Sequence, residues 1–413
     1  MKDIMKRLAC AAVCACAGGA FADFPALVGD GVADDTAAIQ ARLDAGLSCV
    51  YLPPPKAHYV ISKSLVIGSD QELRLDRATR ILLAPKSDCP MVKNRNWEKG
   101  DVRIALTGGV WDFDNLRQTM NICAVYTDEE WLLDKYLTPE QKAYQKAHWP
   151  PSRKFGRDRY RGNAFYFENV KELKASGLTI RNPCTYGFQM CKCSYFTVED
   201  VALDYTTWNP QPANLDGIHL DGGCHHGRIA NIRGTAYDDM VALNANDGFC
   251  AAVEDDITDV DIDGIYAEYC HSGVRLLSTG AKVKRINIRN IHGNFYRYAV
   301  GFTHFFPNRK APGVMDAITV SDCHVGKCEQ PKCLWPLGEM PLFFFDAPME
   351  IGQVRFSNVT REERCAPAIP TFSIAKGCRI ERLVIEDCRA VNAAQGELKD
   401  FVNDGEVREL VRR

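Results

Sequence analysis

The sequence predicts an all-β fold, a right-handed parallel β-helix in which each coil of short strands packs on the next coil. A pair of apolar residues recurs at intervals of roughly 23–36 residues, as in a solenoid. The pairs are Ala175/Leu178, Val198/Val201, Ile229/Ile232, Ile262/Ile265, Ile288/Ile291, Val320/Cys323, Phe356/Val359 and Ile385/Cys388. Gly, Asn and Asp break the strands between them. The helical half of a leucine-rich repeat is absent, and propeller blades need about forty residues and four strands each.

The beginning of the chain supports the same fold. Residues 29–40 read GDGVADDTAAIQ and predict a turn followed by an amphipathic helix with Asp or Thr as its N-cap. Short strands at Val50-Tyr51-Leu52 and Tyr59-Val60-Ile61 follow this helix. A helix that packs its apolar face on the open end of a solenoid would cover the exposed strand edges. We therefore expect a capping helix here, and we expect Asp34 and Asp35 to be structural.

Composition indicates a globular protein with a sizeable core, because 46% of the 413 residues are hydrophobic and 25% are charged. The formal net charge of −3 argues against nucleic acid as the main partner. No apolar run after position 25 is long enough to span a membrane. We expect one β-helix domain over residues 23–413, without a membrane or nucleic-acid partner and monomeric.

The segment 1–22 predicts a secretory signal peptide. Positive charges at the start precede an apolar stretch at 8–18 and a small-x-small cleavage site at Ala20-Phe21-Ala22. We therefore expect the mature protein to be secreted or periplasmic. The sequence Val13-Cys14-Ala15-Cys16 is a poor lipoprotein signal, so a lipid anchor is the lesser alternative.

A polar and aromatic insertion at 124–162 interrupts the repeat. It contains the capping box Thr138-Pro139-Glu140-Gln141, which predicts a helix start, and five basic residues lie between 152 and 161. The insertion is either a solvated surface excursion or a lid whose arginines approach an anionic ligand.

Eighteen cysteines are present, three of them within the segment 1–22. Several, such as Cys323 and Cys388, stand where other repeats carry Val or Ile, so we expect many to be core residues. Two sets are close enough in sequence to pair by disulfides or bind a metal: Cys191 with Cys193, and Cys328 with Cys333. Neither has zinc-like spacing, and we predict no metal and no cofactor.

Three aspartates form the most informative cluster. Asp216 precedes the adjacent pair Asp238 and Asp239 by one expected coil, and aliphatic residues flank all three. Like charges at short range raise one another's pKa and destabilise a fold, so such a cluster indicates function. A calcium site or a solvated turn is one interpretation. The other is a set of general acid and base groups that cleave a glycosidic bond.

Residues 29–40 closely resemble the N-terminal cap of the pectin-lyase-like β-helix superfamily. Residues 163–305 resemble glycoside hydrolase family 28, the polygalacturonases, in which Asn-Thr-Asp-Gly is followed about one coil later by Gly-Asp-Asp. Asn214-Leu215-Asp216-Gly217 matches the first motif and Tyr237-Asp238-Asp239 the second, and the interval from 216 to 238 agrees with the family. The resemblance implies inverting hydrolysis of a pectin-like or related polysaccharide. It assigns Asp238 as general acid, while Asp216 and Asp239 hold and activate water.

The family's substrate-binding motifs are only partly matched. Cys270-His271-Ser272-Gly273 is a loose counterpart of its Gly-His-Gly, and its Arg-x-Lys pair is missing from the stretch 298–304. Arg275 could instead meet a uronate carboxylate, or it could pair with the aspartates if the sugar is neutral. We predict that His271, Arg275, Asn244 and His304 bind the substrate.

Two other functions remain open from the sequence. A lyase or epimerase on the same scaffold would remove a proton α to a uronate carboxylate with a Lys, Arg or Tyr base, often with calcium. A non-catalytic carbohydrate-binding solenoid is the third class, because the Arg-x-Lys pair is missing.

Overall fold

The computed structural model of the chain describes residues 24–118, 162–208, 214–246, 254–304, 311–331 and 338–413. Within them lie one α-helix, one short 3-10 helix and 28 strands. The helices are α1 (Thr36–Asp44) and the 3-10 helix Asn115–Arg117. The strands are β1 (Cys49–Leu52), β2 (Tyr59–Ile61), β3 (Leu65–Ile67), β4 (Gln71–Leu75), β5 (Arg80–Leu83), β6 (Val92–Asn94), β7 (Asp101–Thr107), β8 (Val110–Asp112), β9 (Phe165–Glu168), β10 (Val170–Ser176), β11 (Thr179–Arg181), β12 (Phe188–Cys191), β13 (Ser194–Asp204), β14 (Ile218–Asp221), β15 (His225–Thr235), β16 (Asp239–Asn244), β17 (Ile257–Cys270), β18 (Ser272–Leu277), β19 (Lys282–Phe295), β20 (Val300–Thr303), β21 (Gly313–Lys327), β22 (Phe343–Phe345), β23 (Met349–Glu363), β24 (Phe372–Ile374), β25 (Cys378–Glu386), β26 (Arg389–Asn392), β27 (Phe401–Asn403) and β28 (Glu406–Arg412).

These strands form a parallel β-helix, so the predicted fold class is confirmed. Every pairing between the named strands is parallel. One sheet has seventeen strands, and the other has eleven, in the order β27-β24-β22-β20-β18-β16-β14-β12-β9-β6-β3. Each coil therefore adds one layer to both sheets.

A residue with left-handed backbone conformation explains the repeated apolar pair. The residue just before the second member of each pair has a φ between 52° and 90°, and it is always Gly, Asn or Asp: Gly177, Asp200, Asn231, Gly264, Asn290, Asp322, Asn358 and Asp387. These residue types adopt that conformation most readily. Residues three apart in a straight strand face opposite sides. Because the chain bends at this residue, both members of a pair face the core, and all of them except Cys388 are buried.

The core is a set of side-chain columns that run from coil to coil. Ile218, Val241, Val274 and Val300 are in register in the eleven-stranded sheet, and each is fully buried. Aromatic rings continue the column at both ends, for example where Phe165 stacks on Phe188 with ring centroids 5.2 Å apart. This regular column fixes the position of each coil along the axis of the β-helix, and it therefore also fixes the positions of the residues that neighbour the column.

The predicted capping helix is α1, which buries Ile39 and Leu43 against the first coil. Asp35 occupies the N-cap position, but its side chain does not cap the helix. Its carboxylate instead accepts hydrogen bonds from the backbone N–H groups of Val28 and Gly29, at 2.6 and 3.1 Å. Asp34 accepts from the backbone N–H of Thr36 at 2.9 Å. These contacts support the structural interpretation of both aspartates.

Buried cysteines pack as core residues, as expected. Six belong to the main core: Cys184, Cys193, Cys224, Cys270, Cys323 and Cys378. The thiols of Cys191 and Cys193 donate to different groups, Oδ2 of Asp221 at 3.0 Å and the Phe167 carbonyl at 3.7 Å. These two thiols are therefore not bonded to each other.

Several predicted features lie outside the described residues: the signal peptide at 1–22, residues 124–161 of the insertion, and Cys333. No helix among the described residues is long and apolar enough to cross a membrane.

Candidate active site

The aspartates lie at the edge of the eleven-stranded sheet where β14, β16, β18 and β20 begin. Each of these strands has a buried aliphatic residue near its start, and these residues pair in register from one strand to the next: Ile218, Val241, Val274 and Val300. The residues two or three positions before that aliphatic residue come together across the coils: Asp216, Asp238 with Asp239, His271 with Ser272, and Arg297 with Tyr298. Because these residues occupy the same positions relative to the aliphatic residue, each coil contributes one or two of them to a single row along the sheet edge.

Asp238 and Asp239 differ in exposure. About a fifth of the Asp238 side chain (22%) is exposed, whereas Asp239 is fully buried. Burial raises the pKa of Asp238 well above its usual value, and the neighbouring charges of Asp216 and Asp239 raise it further. Burial also raises the pKa of Asp239 to about 7, against the opposing effect of Arg275. Asp238 is therefore the acid whose affinity for a proton is raised and whose side chain remains partly accessible.

The two carboxylate oxygens of Asp239 differ in their hydrogen bonds. The Tyr298 hydroxyl donates to Asp239 Oδ1 at 2.9 Å. Oδ2 is buried and has no hydrogen-bond partner among the described residues, although Arg275 Nη1 lies 3.7 Å away. A buried carboxylate oxygen without a donor is costly, so the position suits a water molecule or a ligand hydroxyl.

Asp216 is held from two sides. Its Oδ1 accepts the backbone N–H of Asp239 at 3.2 Å, and its Oδ2 lies 2.6 Å from Nδ1 of His219. The other ring nitrogen of His219 lies 3.1 Å from Oδ1 of Asp221. All three side chains are buried. His219 and Asp221 are outside the set of site residues predicted from the sequence.

His271 lies beside the acids, as predicted. Its Nδ1 is 3.6 Å from Oδ1 of Asp238 and 2.7 Å from the Ser272 hydroxyl. Burial lowers the pKa of His271 well below its usual value, and Arg297 and Arg275 lower it further. The imidazole is therefore neutral, so it contributes a hydrogen bond to the site but no positive charge.

Arg275 also reaches the acids, since its guanidinium is 3.7 Å from Asp239 and only 13% of its side chain is exposed. Its Nε donates to the Thr303 hydroxyl at 3.3 Å. Ala242 and Gly301 are its register neighbours in the adjacent coils. The small residues leave space beside the guanidinium, and the geometry favours the interpretation in which Arg275 supports the aspartates.

Arg297 is a second arginine at the site, and it too is outside the predicted set. Its backbone N–H donates to the His271 carbonyl, and one terminal nitrogen donates to the Gly338 carbonyl. Its Nε is buried without a hydrogen-bond partner among the described residues. Burial lowers the pKa of Arg297, although Tyr298 and Asp238 oppose this effect. The guanidinium is therefore a charged group with unused donor capacity near Asp238.

The remaining two predicted binding residues differ in position. The Asn244 amide nitrogen lies 3.3 Å from Nε2 of His219, so Asn244 belongs to the buried network behind the acids. The ring Nε2 of His304 contacts the backbone carbonyl of Ala311 at 2.8 Å, and the backbone N–H of His304 donates to Oδ2 of Asp346. None of these contacts joins His304 to the three aspartates. Its assignment to substrate binding stays a prediction.

Asp238, Asp239 and His271 each offer one ligand atom within 4.8 Å of the others, a spacing that could also hold a metal ion. The charged groups around them oppose a cation, because Arg275 is 3.7 Å from Asp239, and Arg297 and Lys327 lower the pKa of His271. A proton shared between Asp238 and Asp239 reduces the repulsion between the two carboxylates without placing a cation beside the arginines.

The spacing of two or three positions before the buried aliphatic residue is a signal in the sequence that could have revealed Arg297 and Tyr298. They precede Val300 by three and two positions, as Asp238 and Asp239 precede Val241. The alternation of a strand gives a second signal. Because Ile218 and Leu220 face the core, His219 and Asp221 must both face the opposite side.

The acid cluster makes a testable contribution to stability. Asp239 has a pKa of about 7 in the folded protein and an ordinary value of 3.8, so the folded state binds more protons between these values. The favourable contribution of Asp239 to the free energy of unfolding is present below pH 4 and is lost as the pH rises through 7. We expect Asp239→Asn to raise the melting temperature relative to the native protein at pH 8, and much less at pH 5. The difference in unfolding free energy is on the order of 1–4 kcal/mol.

Differential scanning fluorimetry at both pH values measures this effect. The exposed Asp200, on the other sheet, provides the matched control Asp200→Asn. The same change in melting temperature at pH 5 and pH 8 for Asp239→Asn would contradict the elevated pKa.

No protein-family model matches the chain, and no curated protein matches it. Solved structures match its fold. A family 28 exopolygalacturonase from Yersinia enterocolitica is 14% identical, with a TM-score of 0.57 over 92% of this chain and 76% of that chain. The PfbA surface adhesin of Streptococcus pneumoniae is 13% identical, with a TM-score of 0.54 over 92% and 89%. The A-module of the mannuronan C-5 epimerase AlgE4 of Azotobacter vinelandii is 13% identical, with a TM-score of 0.51 over 94% and 95%.

These similarities show a right-handed parallel β-helix fold. The three proteins are named as a hydrolase, an adhesin and an epimerase, so the shared fold does not choose among those activities. The choice depends on the side chains of this chain.

Proposed function

We propose that this protein is a secreted or periplasmic inverting glycoside hydrolase that cleaves a uronate-containing, pectin-like polysaccharide or oligosaccharide. The observation that supports this proposal most is that two adjacent acids differ in exposure and in hydrogen bonding. Asp238 is partly exposed and its pKa is raised well above the usual value, whereas Asp239 is buried and one of its oxygens has no hydrogen-bond partner among the described residues. A protonated acid beside a water-binding carboxylate is what glycoside hydrolysis requires.

In this proposal Asp238 donates its proton to the glycosidic oxygen as the bond to the anomeric carbon breaks. A water molecule held at Oδ2 of Asp239 attacks that carbon from the opposite face. The oxygens of Asp238 and Asp239 lie within 4.8 Å, closer than the roughly 6.5–9.5 Å typical of an inverting acid and its base. We therefore assign removal of the water's proton to Asp216, and the holding of the water to Asp239.

Positive charge on one side of the acids supports a uronate substrate. Arg275 lies on the coil that follows Asp239, and Arg297 lies on the coil after that. An arginine binds a carboxylate through two parallel charge-assisted hydrogen bonds. The Nε of Arg297 has no partner within the described part of the chain, whereas Arg275 already faces Asp239. We assign carboxylate recognition mainly to Arg297.

A lyase or epimerase is the second candidate, because an epimerase shares the fold. Such an enzyme needs a base that loses its proton near neutral pH. Burial raises the pKa of Tyr298 well above its usual value, as does Asp239. Burial lowers the pKa of Lys327 to about 8, but its ammonium group donates to the carbonyls of Tyr296 and Met340 at 3.0 and 2.9 Å. Neither group suits proton abstraction.

A non-catalytic carbohydrate-binding solenoid is the third candidate. Such a protein has no need for Asp239, whose burial beside two other acids reduces stability above pH 7. Retention of an unfavourable acid cluster supports catalysis over binding alone.

Digestion of a polysaccharide panel tests these three classes together. The panel contains homogalacturonan, substituted galacturonans, alginate and neutral plant glycans. We expect new reducing ends from a uronate-containing glycan without ultraviolet absorbance from unsaturated sugars. Unsaturated products, or activity lost in a chelator, would indicate a lyase or epimerase. Glycan binding without turnover across the panel would indicate the binding solenoid.

Arg297→Lys tests the uronate assignment. Lysine keeps the charge but cannot form the paired hydrogen bonds, so KM for a uronate oligosaccharide should rise about tenfold or more. KM for the carboxyl-reduced analogue should change little. The matched variant Arg275→Lys should affect both substrates equally, because its partner is Asp239. Equal losses on both substrates for Arg297→Lys would contradict the assignment.

A further inference from the structure

His219 lies in an unusual position for a histidine, because its two ring nitrogens face two different carboxylates. Nδ1 is 2.6 Å from Oδ2 of Asp216, and Nε2 is 3.1 Å from Oδ1 of Asp221. An ionised carboxylate only accepts hydrogen bonds, so both nitrogens donate when the two carboxylates are ionised, and the Asn244 amide beside Nε2 then turns its oxygen toward the ring. A ring with two N–H groups is an imidazolium.

The surroundings of the ring favour that charge. Among the titratable and charged groups that face it are Asp216 and Asp221 on its own coil, Asp239 on the next coil and the ring of Tyr186 on the preceding coil. Tyr186 stacks on the imidazole with ring centroids 3.7 Å apart and an interplanar angle of 19°, a geometry that attracts a cation. Burial alone lowers the pKa of His219, but Asp221 and Asp216 together raise it well above the usual value.

Asp221 is a fixed anion behind the ring. It is fully buried, and its Oδ2 accepts from the Gln189 amide at 2.7 Å and from the Cys191 thiol at 3.0 Å. Burial raises the pKa of Asp221, but His219 and these donors lower it to a net value below the usual one. Because Asp221 contacts the ring of His219 and His219 contacts Asp216, the effect of Asp221 on the acids is exerted through His219.

We propose that His219 is a positioning residue that orients the carboxylate of Asp216 by donating to it as an imidazolium, with Asp221 as its counter-ion. This inference rests on the proposed function for its kinetic consequence only. A cation beside an aspartate stabilises the ionised form, typically by about one to three pH units. In the proposed reaction, Asp216 oriented in this way accepts the proton of the attacking water.

The pH dependence of hydrolysis tests this role with His219→Gln and Asp221→Asn. Glutamine can still donate one hydrogen bond to Asp216 but carries no charge. The acidic limb of the kcat profile should move up by about one unit or more in His219→Gln, and by less in Asp221→Asn. The alkaline limb, set by Asp238, and KM should change little. The exposed His292 on the other sheet gives the control His292→Gln, which should leave both limbs unchanged. An equal loss of kcat at every pH would mean that His219 is only structural.

The charge of the ring can be measured without any substrate. Nitrogen NMR of the intact, histidine-labelled protein should show one ring with both nitrogens protonated at pH 8, and this signal should be absent from His219→Gln. In Asp221→Asn the same ring should lose a proton at a lower pH. A neutral ring at pH 7 in the native protein would overturn the inference, whether or not the protein hydrolyses a glycan. A protonated ring in a protein without hydrolase activity would overturn the proposed function alone.

Discussion

Asp238→Asn should reduce kcat for glycan hydrolysis by about a thousandfold or more, because asparagine cannot donate a proton to the leaving oxygen. The structure supports this choice among the three acids, since Asp238 alone combines partial exposure with a pKa raised well above its usual value. Initial rates of reducing-end release on the preferred glycan measure the effect. The melting temperature at pH 5 should stay within about two degrees of the native value, because asparagine has nearly the same shape as the native side chain.

Asp200→Asn is the matched control for this loss, and it should retain native activity because Asp200 is exposed on the other sheet. An Asp238→Asn variant that still hydrolyses the glycan at near-native rate would remove the general acid from the proposal.

Arg275→Met should have the second largest effect. The guanidinium is the cation beside buried Asp239, and its removal leaves that carboxylate with only the Tyr298 hydroxyl and a still higher pKa. Asp239 would then stay protonated at neutral pH and would hold the attacking water poorly. We expect kcat at pH 7 to fall about a hundredfold, with similar losses on a uronate substrate and its carboxyl-reduced analogue.

Arg275→Lys provides the comparison, because it keeps a charge near Asp239 and should lose less activity than the methionine variant. A large rise in KM confined to the uronate substrate would show instead that Arg275 binds the sugar carboxylate, as the sequence alone also allowed.

The fold could be predicted from the sequence because its repeat has a local physical cause. Each coil bends at a left-handed Gly, Asn or Asp that lies between the two members of its apolar pair, as Asn231 lies between Ile229 and Ile232. The pattern is therefore visible in the sequence even where the coil length varies. The helix that caps the first coil was predictable for the same reason, since its Ile39 and Leu43 form one apolar face.

The candidate site was only partly predictable, because its geometry depends on the register between coils. The cluster of Asp216, Asp238 and Asp239 stands out in the sequence as three acids in apolar stretches. The buried pairing of His219 and the approach of Arg297 become evident only when β14, β16, β18 and β20 are aligned by their core residues. Distances across coils, such as that between Arg275 and Asp239, have no signal in sequence spacing.

The stereochemistry of the first product tests the central claim most directly. Proton NMR of the reaction mixture at early times, with the preferred uronate glycan, resolves the two anomers before they interconvert. Direct attack by a water held at Asp239, with Asp238 as the acid, predicts that the new reducing end first appears with inverted configuration. The Asp238→Asn protein should give no such signal. A product with retained configuration, or an unsaturated sugar without a new reducing-end hydroxyl from water, would contradict the account.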